Sequence, residues 1–167
     1  ELGILWREKF DYFGEKAEAA ASLGQVHKAS DFAGRNLACK IQYPDMASVV
    51  EADLKQLKLA FSLYHRYDPT INPVNIHQEL TDRLREELDY EREAKNMSMY
   101  RYMLSNEEGI NTPEAFTELS TNRLLTMSWL DGLPLLNFVD DQVERRNDIA
   151  YKMFRAWYVP LYKYGIL

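Results

Sequence analysis

The sequence is short of most features that would tie a chain to an obvious chemistry. Cys39 is its only cysteine, which excludes an intrachain disulfide and a cysteine zinc cluster and suits a reducing compartment. The three histidines, His27, His65 and His77, lack metal-ligand spacing. No apolar run approaches the ~20 residues that span a bilayer, and no signal peptide opens the chain. Basic residues are in deficit, 20 against 26 acidic, and a net charge of -6 with a pI of about 5.1 argues against a nucleic-acid-binding face. Glycine and proline are sparse at 7 and 6, and 46% apolar with 28% charged residues excludes a disordered or low-complexity chain. What remains is a globular chain of 167 residues, enough for one ordinary domain or two lobes sharing a cleft. It begins at Glu1 without methionine and stops at the apolar YKYGIL, so it reads as a piece of something longer that is soluble by itself.

The first forty residues favour strands. GQVHKASDF and NLACKIQY are extended runs joined across Ala33, Gly34 and Arg35, a β-hairpin pattern. After Pro44, the residues Val49, Val50, Leu54, Leu57, Phe61 and Tyr64 recur at helical spacing, and Asp45 is placed to cap that helix. DPTINP breaks the chain before a longer, charge-dense helix expected from Val74 to Leu104. EAFTEL and RLLTMSW are expected as two short strands about an STN turn. DGLP then breaks the chain, with a hinge at Asp131-Gly132. From Val139 a helix built on Val143, Ile149, Met153, Trp157 and Leu161 runs to the end, bent at Pro160. The order strands, helices, strands, helix is an α+β arrangement.

Lys40 ends ACK inside an apolar strand, where a solvent-facing lysine is the bland explanation. A loop, a strand, a tight turn and a strand lysine is also the order used by protein kinases, in which the lysine binds the α and β phosphates and pairs with a helix glutamate. LREELDYEREAKN offers several partners. Asp89 and Glu93 are spaced i,i+4 on one face, whereas Glu87 projects elsewhere. An exposed helix with Arg83–Glu87 and Arg85–Asp89 pairs accounts for much of this charge. It does not account for like-charged Asp89 and Glu93 as neighbours unless a cation such as Lys40, or a metal, lies nearby.

The succession EAAASLGQVHKA, ACKIQYP, ELDYEREAKN and RLLTMSWLDGLPL closely resembles the UbiB family of atypical protein-kinase-like proteins, also called the AarF-domain kinases, over nearly the whole chain. The resemblance implies a kinase-like amino-terminal lobe over 1–130, with an inserted helix at about 45–67. Residues 131–167 would be the hinge and the start of a helical carboxyl-terminal lobe. It matches Ala19, Ala20, Ala21 and Ser22 to the alanine-rich loop that replaces a glycine-rich one, and Lys40 to the nucleotide-phosphate lysine. Glu93 becomes its ion-pair partner, Glu87 and Asp89 the E-x-D motif, and Met127 to Leu130, including Trp129, the linker whose backbone meets adenine. ATP or ADP with Mg2+ are the implied cofactors. The implied partners are nucleotide and lipid-biosynthesis proteins or lipid precursors, with no nucleic acid. The implied location is cytoplasmic, with contact to the inner membrane only through segments outside this sequence.

Two family elements are absent from these residues: an upstream K-x-G-Q helix, and a downstream H-x-D-P-H-P-G-N loop followed by a D-F-G-like aspartate. The only Asp-Pro, Asp68-Pro69, is misplaced for that loop. The fragment is therefore expected to be catalytically inactive even where its parent is an ATP-dependent phosphotransferase or ATPase supporting ubiquinone or related isoprenoid biosynthesis. Alanine resists positive φ, so the loop is expected to be more restricted than a glycine one. Cys39, on the face opposite Lys40, reads as core, and Gln25 and His27 as strand residues. The alternative function is a non-catalytic pseudokinase acting as a nucleotide-dependent regulator or scaffold. A third, a helical interaction module, requires Lys40 and Glu93 to lie far apart.

Overall fold

The structure, a computed structural model, describes residues 1–68 and 73–166. The break expected over DPTINP falls largely on 69–72, and the last residue of YKYGIL on 167, outside the described residues. Five strands are present among the described residues: β1 (Tyr12–Phe13), β2 (Ala19–Ala21), β3 (Gly24–Ser30), β4 (Asn36–Gln42) and β5 (Leu124–Ser128). They form one antiparallel sheet in the order β1-β3-β4-β5, with β2 pairing the same edge of β3 further along.

The β3–β4 hairpin is where the sequence pattern placed it, and its turn has an identifiable cause. Asp31 accepts hydrogen bonds from the Ala33 and Arg35 backbone N–H groups and from Arg35 Nε at 2.6 Å, while Gly34 takes the left-handed conformation at φ 78°. At the other end Gly24 pairs with Gln42, and a Cβ on Gly24 would collide with the Ile41 carbonyl oxygen, so the two strands close there only around glycine.

Strand alternation divides the sheet. On one face Ala29, Leu37, Cys39 and Leu124 pack with Phe10, Phe116 and Leu119, and Trp6, Phe10 and Phe13 meet edge to face. On the other, Leu125 packs against Tyr90 and Ala94, with Met97, Ala115 and Met127 around them. Tyr90, Leu125 and Cys39 are completely buried.

Among the described residues four α-helices follow or interrupt the strands: α1 (Met46–Tyr67), α2 (Pro73–Glu87), α3 (Tyr90–Met103) and α4 (Val143–Val159). Asp45 occupies the N-cap position of α1, but it is left-handed at φ 58° and its side chain makes no capping bond, contrary to expectation. Only Val50 and Leu54 of the predicted α1 stripe are buried; Val49 and Tyr64 are exposed. α1 lies against α2 through the Glu51–Arg85 fork and a 2.9 Å contact between His77 Nε2 and the Leu54 carbonyl.

The single helix expected from Val74 to Leu104 is two helices, broken at Leu88–Asp89. Arg83 pairs with Glu79 and Glu86, and Arg85 with Glu51, so neither expected i,i+4 pair forms. The expected strand over EAFTEL is reduced to a bridge between Ala115 and Met127 and a 3-10 turn at Thr117–Leu119, because Leu119 turns inward to the core. α4 begins at Val143 rather than Val139, after a 3-10 turn at Leu135–Phe138, and Pro160 opens a π turn over Pro160–Tyr164. Arg155 of α4 grips Glu107 through two bonds of 2.7 and 2.8 Å.

Candidate nucleotide site

β4 turns Ala38, Lys40 and Gln42 toward the α3 side of the sheet and Leu37, Cys39 and Ile41 to the opposite core. Register extends the first set: Val26 stands opposite Lys40, Lys28 opposite Ala38, and Leu125 and Met127 opposite Lys40 and Ala38 on the far side. Lys40 is therefore a cation set in a small apolar platform. Its Nζ lies 3.1 Å from Glu93 Oε1 and 4.8 Å from the centre of the Tyr90 ring. Side-chain exposures of 22% for Lys40 and 39% for Glu93 leave the ammonium open to a further acceptor.

Glu93 reaches Lys40 because α3 starts where it does. Asp89 is the N-cap of α3: its carboxylate accepts from the Arg92 N–H at 3.0 Å and from Asn122 Nδ2 at 3.3 Å. The Tyr90 N–H donates to the Asn122 carbonyl, and the Tyr90 side chain is buried beneath Lys40. Asp89 and Glu93 are thus not like charges stacked on one helix face. One is a cap and the other the lysine's partner, so no metal is needed between them. Glu87 is the exposed last residue of α2 and shares a groove with Arg83, Arg92, Glu93 and Asn96.

Burial pushes the Tyr90 phenol up to about 12, with the Glu93 and Glu87 carboxylates adding to the effect. Cys39 is pushed up to about 11 by burial, offset in part by its contact with the Thr126 hydroxyl. A thiol so placed is core rather than nucleophile, as expected.

The alanine loop is a tight hairpin. Ala19, Ala20 and Ala21 pair with Val26, Gln25 and Gly24, leaving Ser22 and Leu23 as the turn. No residue of this loop has positive φ, so it makes no conformational demand that alanine cannot meet. Ala19 and Ala21 share the face of Val26 and Lys40, and Ala20 the reverse face. Met127 and Ser128 still belong to β5, so the linker begins only at Trp129, two residues later than expected. Trp129 lies under Lys28 Nζ at 4.9 Å and donates Nε1–H to Asp131 at 3.0 Å; Leu130 is exposed. Gly132 has no positive φ and open space around it, so the expected hinge has no special glycine requirement.

Sequence reasoning missed Val26, Ala38 and Gln42. Their signal was present in the two-residue alternation around Lys40. The face offers what a nucleotide would use: one half-buried cation for phosphate and small apolar side chains beside it. Among the described residues no cluster of three or more His, Cys, Asp or Glu side chains could hold a metal by itself; a Mg2+ carried by nucleotide phosphates needs only one or two carboxylates.

A model of the ABC1 atypical kinase-like domain matches residues 1–167. The chain belongs to the ABC1 atypical kinase-like family. Within that family it is 35% identical to "Atypical kinase COQ8B, mitochondrial" of Danio rerio, over 100% of this chain and 27% of that protein. It is 32% identical to "Atypical kinase COQ8, mitochondrial" of Saccharomyces cerevisiae, over 93% of this chain and 31% of that one. The "Probable protein kinase UbiB" of Aeromonas hydrophila is 33% identical over 80% of this chain and 25% of its own length. Among solved structures, the Rv3197–erythromycin complex from Mycobacterium tuberculosis superposes with a TM-score of 0.77 at 32% identity, over 89% of this chain and 38% of that one. The chain spans between a quarter and a third of the length of these curated relatives. The ABC1 assignment bears out the UbiB resemblance and the fold expected from it, a kinase-type amino-terminal lobe followed by the first helices of a second lobe. No helix among the described residues is long and apolar enough to cross a membrane.

Proposed function

We propose that this chain is the nucleotide-binding part of a UbiB-type atypical kinase, a phosphotransferase or ATPase that supports ubiquinone or related isoprenoid lipid biosynthesis. The observation that carries the reading is the 3.1 Å contact between Lys40 and Glu93, residues far apart in the chain and brought together on the apolar platform of Val26, Ala38 and Met127. The helical-module alternative required these side chains to lie apart.

In this reading Lys40 donates charge-assisted hydrogen bonds to the α and β phosphates of ATP or ADP. Glu93 holds the ammonium in place before nucleotide arrives, so little ordering remains to be done on binding. The Ala19–Ser22 hairpin covers the phosphates, and the backbone at Trp129 and Leu130 meets the adenine edge. Glu87, exposed beside the Lys40–Glu93 pair, faces the space an upstream helix of the longer protein would occupy. Mg2+ would come with the nucleotide, bound chiefly by its phosphates. Phosphoryl transfer is assigned to the longer protein, as are contacts with lipid precursors, lipid-biosynthesis proteins and, peripherally, the inner membrane from the cytoplasmic side. In the full-length protein, Lys40→Ala should abolish the rise in melting temperature produced by Mg-ATP or Mg-ADP. An undiminished rise would contradict the assignment of Lys40.

A further inference from the structure

The carbonyl of Leu88 explains how the two halves of the Lys40–Glu93 pair stay in register. In an unbroken helix it would accept from the Arg92 N–H four residues on. Here the Asp89 carboxylate takes that N–H, and the Leu88 oxygen accepts instead from Gln42 Nε2 at 2.6 Å. Gln42 lies two residues beyond Lys40 on the same face of β4, is 7% exposed, and has its own backbone N–H bonded to the Arg123 carbonyl. Opposite it stands Gly24, where a side chain would strike the β4 backbone beside Gln42. Gln42 is thus rigidly seated, and it holds the joint from which α3 departs.

We infer that Gln42 is a positioning residue: by donating to the carbonyl released at the α2–α3 break, it fixes α3 against β4 so that Glu93 meets Lys40. The strand that carries the lysine and the helix that carries the glutamate are then tied by a neutral bond independent of the ion pair. A buried amide of this kind keeps its geometry across pH and salt, whereas an exposed ion pair is weakened by salt. The inference rests on the reading of Lys40 as the phosphate lysine, but its test needs no nucleotide, so the two can fail separately.

The test is the rate at which Lys40 is acylated by an N-hydroxysuccinimide ester in the nucleotide-free full-length protein, read by peptide mass spectrometry with Lys28 as the internal reference. Glu93→Gln, which frees the ammonium, should raise the Lys40 rate several-fold. Gln42→Met and Gln42→Leu, which roughly keep the side-chain volume and lose the donor without adding a charge, should raise it likewise while Lys28 is unchanged. Gln42→His, which retains a ring N–H at similar reach, should restore the wild-type rate. The second donor-free variant carries the comparison if the first does not fold. A wild-type Lys40 rate in the donor-free variants would overturn the inference. So would a rise shared equally by Lys28, which marks general loosening, or a failure of Gln42→His to restore protection.

Discussion

Cys39 and Lys40 are adjacent in the chain and face opposite sides of β4, and their chemistry diverges accordingly. The thiol sits in an apolar core and resists ionisation, while the ammonium is held at a half-open face by Glu93 and the Tyr90 ring. Cys39 and Tyr90 both hold their protons more tightly when folded, at about 11 against 9.0 and about 12 against 10.0. The unfolded chain therefore loses these protons first as pH rises, and stability must fall with increasing pH above about 9. Denaturant titrations should show that decline. Cys39→Ala should remove the part that begins near pH 9, and Tyr90→Phe the part that begins near pH 10. Tyr90→Phe should cost little stability at neutral pH, since the buried hydroxyl has no hydrogen-bond partner among the described residues. A slope above pH 9 that neither substitution changes would show that other groups set the alkaline limit.

At the scale of elements, what was legible in the sequence depended on whether the deciding forces were local. The β3–β4 hairpin was legible because Asp31, Gly34 and alternating apolar residues lie within a few positions of one another. The break between α2 and α3 was not. LREELDYEREAKN contains neither glycine nor proline, and its charges suit a continuous helix. The break is imposed from outside, by Gln42 on Leu88 and by Asn122 on Asp89 and Tyr90, whose partners lie more than 30 positions away in the chain. Strand β2 was likewise hidden, because a run of alanines has no strand propensity of its own and extends only through pairing with β3. Helical spacing narrowed the partner of Lys40 to the face of Asp89 and Glu93, and the family resemblance chose Glu93 between them.

Asp89→Ala should lower stability by about 1 kcal/mol through loss of the N-cap, measured by urea unfolding, and should speed hydrogen exchange at the Arg92 amide. No change in that amide would show that Asp89 does not cap α3 in solution. Ala21→Gly should destabilise the β2–β3 hairpin by about 0.5–1 kcal/mol, because it adds unfolded-state freedom where no positive φ needs glycine. Exchange at the Ala19–Val26 pairing should accelerate. Greater protection in the glycine variant would mean that the loop is strained by alanine, contrary to the geometry found.

The whole molecule is a sheet with a core on one face and, on the other, the Lys40 platform packed beside α3, extended by helices that display large apolar side chains. Trp157, Phe154 and Tyr162 are each more than half exposed on α4 and the turn after it. That surface accords with a chain covering only part of its relatives' length. The central claim is that the platform binds nucleotide through Lys40 held by Glu93. Its most direct test is an equilibrium titration of the full-length protein with Mg-ATP and Mg-ADP, comparing the wild type with Lys40→Met and Glu93→Gln. The account predicts saturable binding by the wild type, weakened about tenfold or more in each variant, a loss of at least ~1.4 kcal/mol of binding free energy. Equal affinity in all three proteins, or no binding by the wild type, would contradict it.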